Sequence, residues 1–223
     1  MKKIVCLCAC IFVGSVNAGL IAEYDFGAAS GTTQVATTVN SNFTASDLTL
    51  VNTANTVTAF SNHFYMNGWD TSINLSKYYE TTISSSASAF SLSDITFSLE
   101  EISGLASDWF FRTSLDAFAT DISSGSFGGG ASAGLVTDFS IDASALGLLT
   151  SPISLRWYMT ADTLNESVGF ATHLLGGAGG GLSDVGQNLR INGDIASVPE
   201  PTSLALLGLG LAGLGFSRKK KTT

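Results

Sequence analysis

Any chemistry in this chain must be built from few reactive side chains. Histidine is limited to His63 and His173, so a three-histidine zinc centre is excluded, and a mixed site would need carboxylates brought in by the fold. A Ser/His/Asp relay assembles in space rather than in sequence order, and no Gly-x-Ser-x-Gly nucleophile elbow is expected. Glu100 and Glu101 invite comparison with the carboxylate pair of glycoside hydrolysis, which needs separations of roughly 5 to 10 Å. Neighbours on a strand point to opposite faces, so these two cannot act together and read as solvated strand carboxylates. Catalytic residues are therefore expected to be none.

Two binding chemistries fit the residue types better. Glu23, Asp25, Asn192 and Asp194 supply hard oxygens from the two ends of the central region. In a sandwich whose first and last strands are neighbours, they would suit a structural calcium ion. No other cofactor is expected. The second chemistry is aromatic. Trp69, in the turn-like Asn67-Gly68-Trp69-Asp70, is the candidate for an exposed ring that stacks on sugar, with Tyr65, Tyr78, Tyr79 and Tyr158 joining it if exposed. Trp109 and Trp157 sit in apolar runs and read as core.

The elements that must position these groups read as strands. Short runs rich in β-branched and aromatic residues recur between Ser, Thr, Asn and Gly clusters: 20–26, 48–51, 78–83, 95–102, 109–115, 135–141, 153–160, 167–174 and 188–196. Ile95-Thr96-Phe97-Ser98-Leu99 alternates strictly, the pattern of a strand with one face on a core. A single helical turn is expected near Asp142 to Leu148. The glycine-rich stretches Gly125 to Gly134 and Gly176 to Gly181 lack the Gly-Lys-Ser/Thr ending of a phosphate loop and read as flexible loops. The fold class expected is all-β, a single sandwich of jelly-roll type.

Composition narrows the partners. The chain has 223 residues, 45% of them apolar, and a formal net charge of -8. Between Leu20 and Val198, 17 acidic residues face only Lys77, Arg112, Arg156 and Arg190, a net charge of -13. So acidic a region is repelled by nucleic acid, and no nucleic-acid partner is expected.

The termini carry addresses. Met1-Lys2-Lys3 is a basic head, Ile4 to Val13 an apolar run, and Val16-Asn17-Ala18 a small-residue cleavage site, which together read as a signal peptide over residues 1–18. Cys6, Cys8 and Cys10 all lie within it, so the mature chain would hold no disulfide or thiolate site. The sandwich is expected over 19–197. At the other end Pro199-Glu200-Pro201 is followed by an apolar span at about 203–217 and by Arg218-Lys219-Lys220-Lys221. The two prolines hold the motif extended, as a peptide-cutting enzyme would require. The span Leu204 to Phe216 covers about 20 Å as a helix, a short transmembrane crossing, and the basic tail keeps its end cytoplasmic.

This order of motif, Gly/Leu-rich span and basic cluster over residues 198–221 resembles the PEP-CTERM sorting signal of Gram-negative bacteria. The resemblance implies recognition by an exosortase, cleavage near Pro199-Glu200-Pro201, a single-pass intermediate in the inner membrane, and delivery to the cell surface or an exopolysaccharide matrix. The segments Glu23-Tyr24-Asp25-Phe26, Tyr78-Tyr79-Glu80, 108–118, 149–158 and 189–193 are similar to an ectodomain type found ahead of such signals, whose nearest architecture is a galactose-binding-like jelly roll. Asn192-Gly193 stands where that type would carry an Asp-Asn pair. The function expected is that of an exported, non-enzymatic surface or matrix protein, with exopolysaccharide as a further partner. The alternative is a carbohydrate-binding module of the matrix, and after it a secreted glycan-active hydrolase.

Overall fold

The computed structural model describes residues 19–26, 32–51, 57–60, 63–86, 89–101, 105–128, 135–162, 167–171, 187–196 and 208–209. The signal peptide, His173, the Gly176 to Gly181 stretch and the sorting motif Pro199, Glu200, Pro201 with Arg218, Lys219, Lys220 and Lys221 lie outside the described residues. Among the described residues no helix is long and apolar enough to cross a membrane; of the expected span, Gly208 and Leu209 alone are described, and they are helical.

Two antiparallel sheets pack as a sandwich, as the alternating pattern predicts. The first runs β3 (Thr38–Val39), β1 (Gly19–Tyr24), β15 (Leu189–Ile195), β9 (Phe90–Glu101), β14 (Ser167–Ala171), β7 (His63–Asn67), β6 (Val57–Phe60), with β12 (Leu135–Asp142) also on β9. The second runs β11 (Ser123–Gly128), β10 (Ala106–Thr113), β13 (Ile153–Ala161), β8 (Tyr78–Ser85), β5 (Leu48–Val51), β2 (Thr33–Gln34), with β4 (Phe43–Ala45) also on β8. All nine expected runs become strands. The six that the pattern did not reveal are β2, β3, β4, β6, β7 and β11.

Alternation explains which face goes inside. In β10 the side chains of Ser107, Trp109, Phe111 and Thr113 are buried and their neighbours point out, and β8 buries Tyr79, Thr81 and Ile83 in the same way. β9 keeps its inward face only by slipping. Ile95 pairs with Ile191 and Leu92 with Gly193, which inserts one extra residue in β9 between Leu92 and Ile95. This bulge lets Phe90 and Leu92 share the core with Ile95, Phe97 and Leu99. Phe97 then sits among Trp109, Trp157, Phe139 and Phe170, with ring centroids 5.2 to 6.1 Å apart, and joins the two sheets through aromatic packing.

The expected helical turn is present as a 3-10 turn at Ser144–Leu146, and Asp142, at the end of β12, accepts at Oδ1 from the backbone N of Ser144 at 2.9 Å. One expected loop proves otherwise at its start. Gly125 lies within β11, paired with Trp109, and an added Cβ there would fall 2.8 Å from Trp109 Nε1. Its lack of a side chain is what lets the indole lie against the strand.

Candidate functional site

Trp69 does not form an exposed platform. Gly68, at φ 85, turns the chain inward directly after β7, and Trp69 is fully buried. Its Nε1 donates to the Val168 carbonyl at 3.0 Å and its ring packs 5.8 Å from that of Tyr79. The polar members of the same turn are held from outside: Lys77 Nζ donates to the Gly68 carbonyl at 2.7 Å, and Asn74 Nδ2 to Asp70 at 2.6 Å. A turn sequence thus places an indole in the core, the reverse of the expectation. Tyr79 is buried as well and donates to the Phe64 carbonyl.

Of the four oxygen donors considered for calcium, Glu23, Asn192 and Asp194 lie on the paired strands β1 and β15 and Asp25 just past the end of β1, and the structure gives Glu23 and Asn192 other partners. β1 and β15, the first and last strands, are neighbours as expected, and Glu23 pairs with Arg190 in the ladder. Its Oε1 accepts from Arg190 Nε at 2.9 Å and from Asn188 Nδ2 at 2.7 Å. Asn192 Nδ2 donates to Asp94 Oδ2 at 2.8 Å. Asp25 is exposed beyond the end of β1, and Asp194 lies opposite Ser91 of β9. Among the described residues no three His, Cys, Asp or Glu side chains gather as metal ligands would. A guanidinium thus occupies the position next to Glu23 that a cation would take.

This pair links stability to pH. Burial by itself would push the Glu23 carboxyl up, but the bonds from Asn188 and Arg190 outweigh it and hold the group below its ordinary value of 4.5. A carboxyl depressed in the folded state stabilises the fold above the unfolded value and loses that contribution as pH falls through the folded one. Thermal melts from pH 7 to 3 are expected to be level above about pH 5 and to fall below 4.5, and Glu23→Gln should flatten part of that fall. An unchanged acid limb in the variant would show that the pair contributes nothing to it.

Glu100 is not solvated. It is buried on the outer side of the first sheet, with its Oε2 2.7 Å from Nε2 of His63, itself buried. The register explains the contact. Gly169 of β14 pairs with Glu100 on one side and Tyr65 on the other, so no side chain separates β9 from β7 at that point. The His63 and Tyr65 rings meet edge to face at 6.0 Å, and burial, then the Glu100 charge, raises the Tyr65 hydroxyl pKa above its ordinary value. The side chain of Glu101 lies outside the described residues. So does the one Gly-x-Ser-x-Gly string, at residues 130–134.

The most developed constellation lies on the outer face of the second sheet. Three strands that are distant in sequence place Phe110 opposite Tyr158, Arg112 opposite Arg156, and Arg156 opposite Glu80. Two arginines directly across an antiparallel pair should repel. The structure offsets this twice over. Arg156 Nε donates to Glu80 Oε2 and Arg112 Nε to Asp121 Oδ1, each at 2.5 Å. The Arg156 guanidinium also lies between two rings, 3.9 Å from the centroid of Tyr78 and 3.7 Å from that of Phe118, while Arg112 lies 5.3 Å from Tyr158. Burial disfavours the charge on Arg156, but hydrogen bonds with Tyr158 and Glu80 more than restore it, and its pKa stands above the ordinary value.

Phe118 reaches this stack from a loop built for the purpose. After the 3-10 turn Ser114–Asp116, Ala117 and Phe118 both adopt left-handed backbone, φ 58 and 63, at a cost of about 1 to 2 kcal/mol per non-glycine residue. Asp116 holds the turn by accepting from the backbone N of Ala119 and Thr120, and Arg112 Nη1 donates to the Phe118 carbonyl at 3.1 Å. The result is a rigid layer in which Tyr78, Phe110 and Phe118 remain partly exposed while Tyr158 is only 1% exposed beneath them. Sequence reading singled out Tyr78 and Tyr158 as aromatic candidates, but not Arg156 or Phe118 as their partners. The 78–80, 108–118 and 149–158 segments converge here.

Residues 197–219 match the model of the PEP-CTERM protein-sorting motif. No curated protein matches the chain. Among solved structures it is similar to an isomalto-dextranase of Arthrobacter globiformis T6 in complex with panose, at 11% identity and a TM-score of 0.32, covering 80% of this chain and 32% of that one. It is also similar to the glycoside hydrolase domain of Endo-D from Streptococcus pneumoniae R6, at 11% identity and a TM-score of 0.30, covering 71% of this chain and 22% of that one. The chain thus spans a third or less of the length of these structures.

Proposed function

We propose that this chain, which carries a PEP-CTERM sorting motif, is a non-enzymatic component of the cell surface or the exopolysaccharide matrix. The match over residues 197–219 is the observation that carries the proposal, since the motif implies export, processing by an exosortase at the membrane and an extracellular destination. Each part of the signal has a physical task. Pro199 and Pro201 flank Glu200, and proline disfavours helix in itself and in the residue before it, which suits a stretch that a peptide-cutting enzyme must grip. The apolar span 203–217 holds the chain in the inner membrane as a single-pass intermediate, and Arg218 to Lys221 keep its end cytoplasmic until cleavage.

The described domain supports a structural role. All four of its basic residues hold carboxylates: Lys77 with Asp70, Arg112 with Asp121, Arg156 with Glu80 and Arg190 with Glu23. His63 is likewise committed to Glu100. These pairs fasten neighbouring strands and turns to one another.

Glu200→Ala is expected to leave export intact while abolishing C-terminal trimming. Intact-mass measurement of the extracellular protein would show wild type ending near residue 200 and the variant retained with its membrane span. Wild-type protein ending at Thr223 in the medium would overturn the proposal.

A further inference from the structure

We infer that the outer face of the second sheet, centred on the stack of Tyr78, Arg156 and Phe118, is a binding surface for a neutral polysaccharide. The inference rests on the matrix role proposed above, which places such a polymer within reach. What carries it is the form of the face. A sheet surface left to solvent needs no aromatic side chains, yet Tyr78, Phe110 and Phe118 stand together here, each partly exposed. Phe118 is brought to the group by two consecutive left-handed residues, and strain of that kind persists where the surrounding structure enforces it, commonly at ligand-binding positions.

The chemistry of the layer indicates its occupant. Pyranose rings present an apolar C–H face and an equatorial rim of hydroxyls. The partly exposed rings offer surface to the first, and the second can be met by Arg156 and Arg112 as donors and by Glu80 as acceptor. Because Glu80 and Asp121 neutralise the two guanidinium groups, the face carries no surplus positive charge. The region around it is strongly acidic. A polyanion would meet repulsion without compensation, so the polymer that fits is uncharged. Leu115 and Ile122 are exposed on the same β10 to β11 connection that carries Phe118.

The test is affinity electrophoresis of the processed extracellular protein in native gels containing dextran, laminarin or hydroxyethyl cellulose, with polygalacturonate as the anionic comparison. Wild type should be retarded in at least one neutral gel and not in polygalacturonate. Tyr78→Ala and Phe118→Ala should each weaken that retardation at least tenfold, and Arg156→Lys should do so while keeping the charge. Leu148→Ala, at an exposed apolar position after the 3-10 turn at Ser144–Leu146, should migrate as wild type. Melting temperatures of the variants identify any that fail to fold, and the remaining ones decide the matter. Absence of retardation in all three neutral gels, retention by polygalacturonate alone, or retention unaffected in every folded variant of the stack would each overturn the inference. None of these outcomes bears on C-terminal trimming, which is read separately by mass.

Discussion

Gly169→Ala is expected to abolish the native sandwich. Gly169 lies in β14, between β7 and β9 in the interior of the first sheet, paired with Tyr65 on one side and Glu100 on the other. A Cβ at this position would fall 2.4 Å from the Phe64 carbonyl oxygen and 2.4 Å from Tyr65 Cα. Both are backbone atoms, so no rotamer change relieves the overlap, and β7 would have to leave its place in the ladder. With it would go the burial of Phe64, the His63 to Glu100 contact and the carbonyl that Tyr79 uses. Overpacking a core by a methyl ordinarily costs about 1 to 3 kcal/mol; a collision with the backbone of a central strand should exceed that and produce insoluble or uncooperatively melting protein. Gly147→Ala is the comparison. Its φ of 68 with ψ of -151 is a conformation that side chains disfavour, but nothing lies within 4 Å of the added carbon, and a loss of about 1 to 3 kcal/mol with the fold retained is expected. Equal, small effects in the two variants on thermal unfolding would contradict the register described for β14.

The second large effect is expected at Trp69. Trp69→Ala removes a fully buried indole and should cost about 3 to 5 kcal/mol through lost transfer energy and the cavity left behind. For a domain of this size that corresponds to a fall in melting temperature on the order of 10 °C. Trp69→Phe keeps most of the volume but removes the Nε1 donor, leaving the Val168 carbonyl to the weaker approach of the Tyr79 hydroxyl at 3.4 Å. About 1 to 3 kcal/mol should follow. Circular-dichroism melts would measure both, and a loss below 1 kcal/mol for the alanine variant would mean that the indole is not in the core. In dextran, laminarin and hydroxyethyl cellulose gels the folded Trp69→Phe variant should behave as wild type, since the face proposed for glycan lies on the other side of the second sheet's backbone.

The elements that sequence reading located and those it passed over divide along a physical line. Alternation is a local property, so strands with one buried and one open face, such as β8 and β10, stand out in it. β7 does not, because four of its five residues, His63 through Met66, are buried on both faces. β11, a Ser/Gly-rich string, has the composition of a loop, and becomes a strand because small residues are what fit against Trp109. Glu100 reads as solvated until Gly169 is known to lie beside it and His63 beyond. The Asn67 to Asp70 segment carries the polar and glycine signals of a surface turn, and only the direction set by Gly68 sends Trp69 inward.

What the amino-acid order determined unaided was therefore what depends on near neighbours: the PEP-CTERM motif, the all-β character and nine strand positions. The PEP-CTERM motif acts as a contiguous peptide read by another protein, so it is complete within its own stretch of chain. The stack of Tyr78, Arg156 and Phe118 is of the other kind. Its members come from β8, β13 and the β10 to β11 loop, and only the pairing order of the second sheet brings them together, because strand neighbours are chosen by core packing across the whole domain rather than by proximity along the chain.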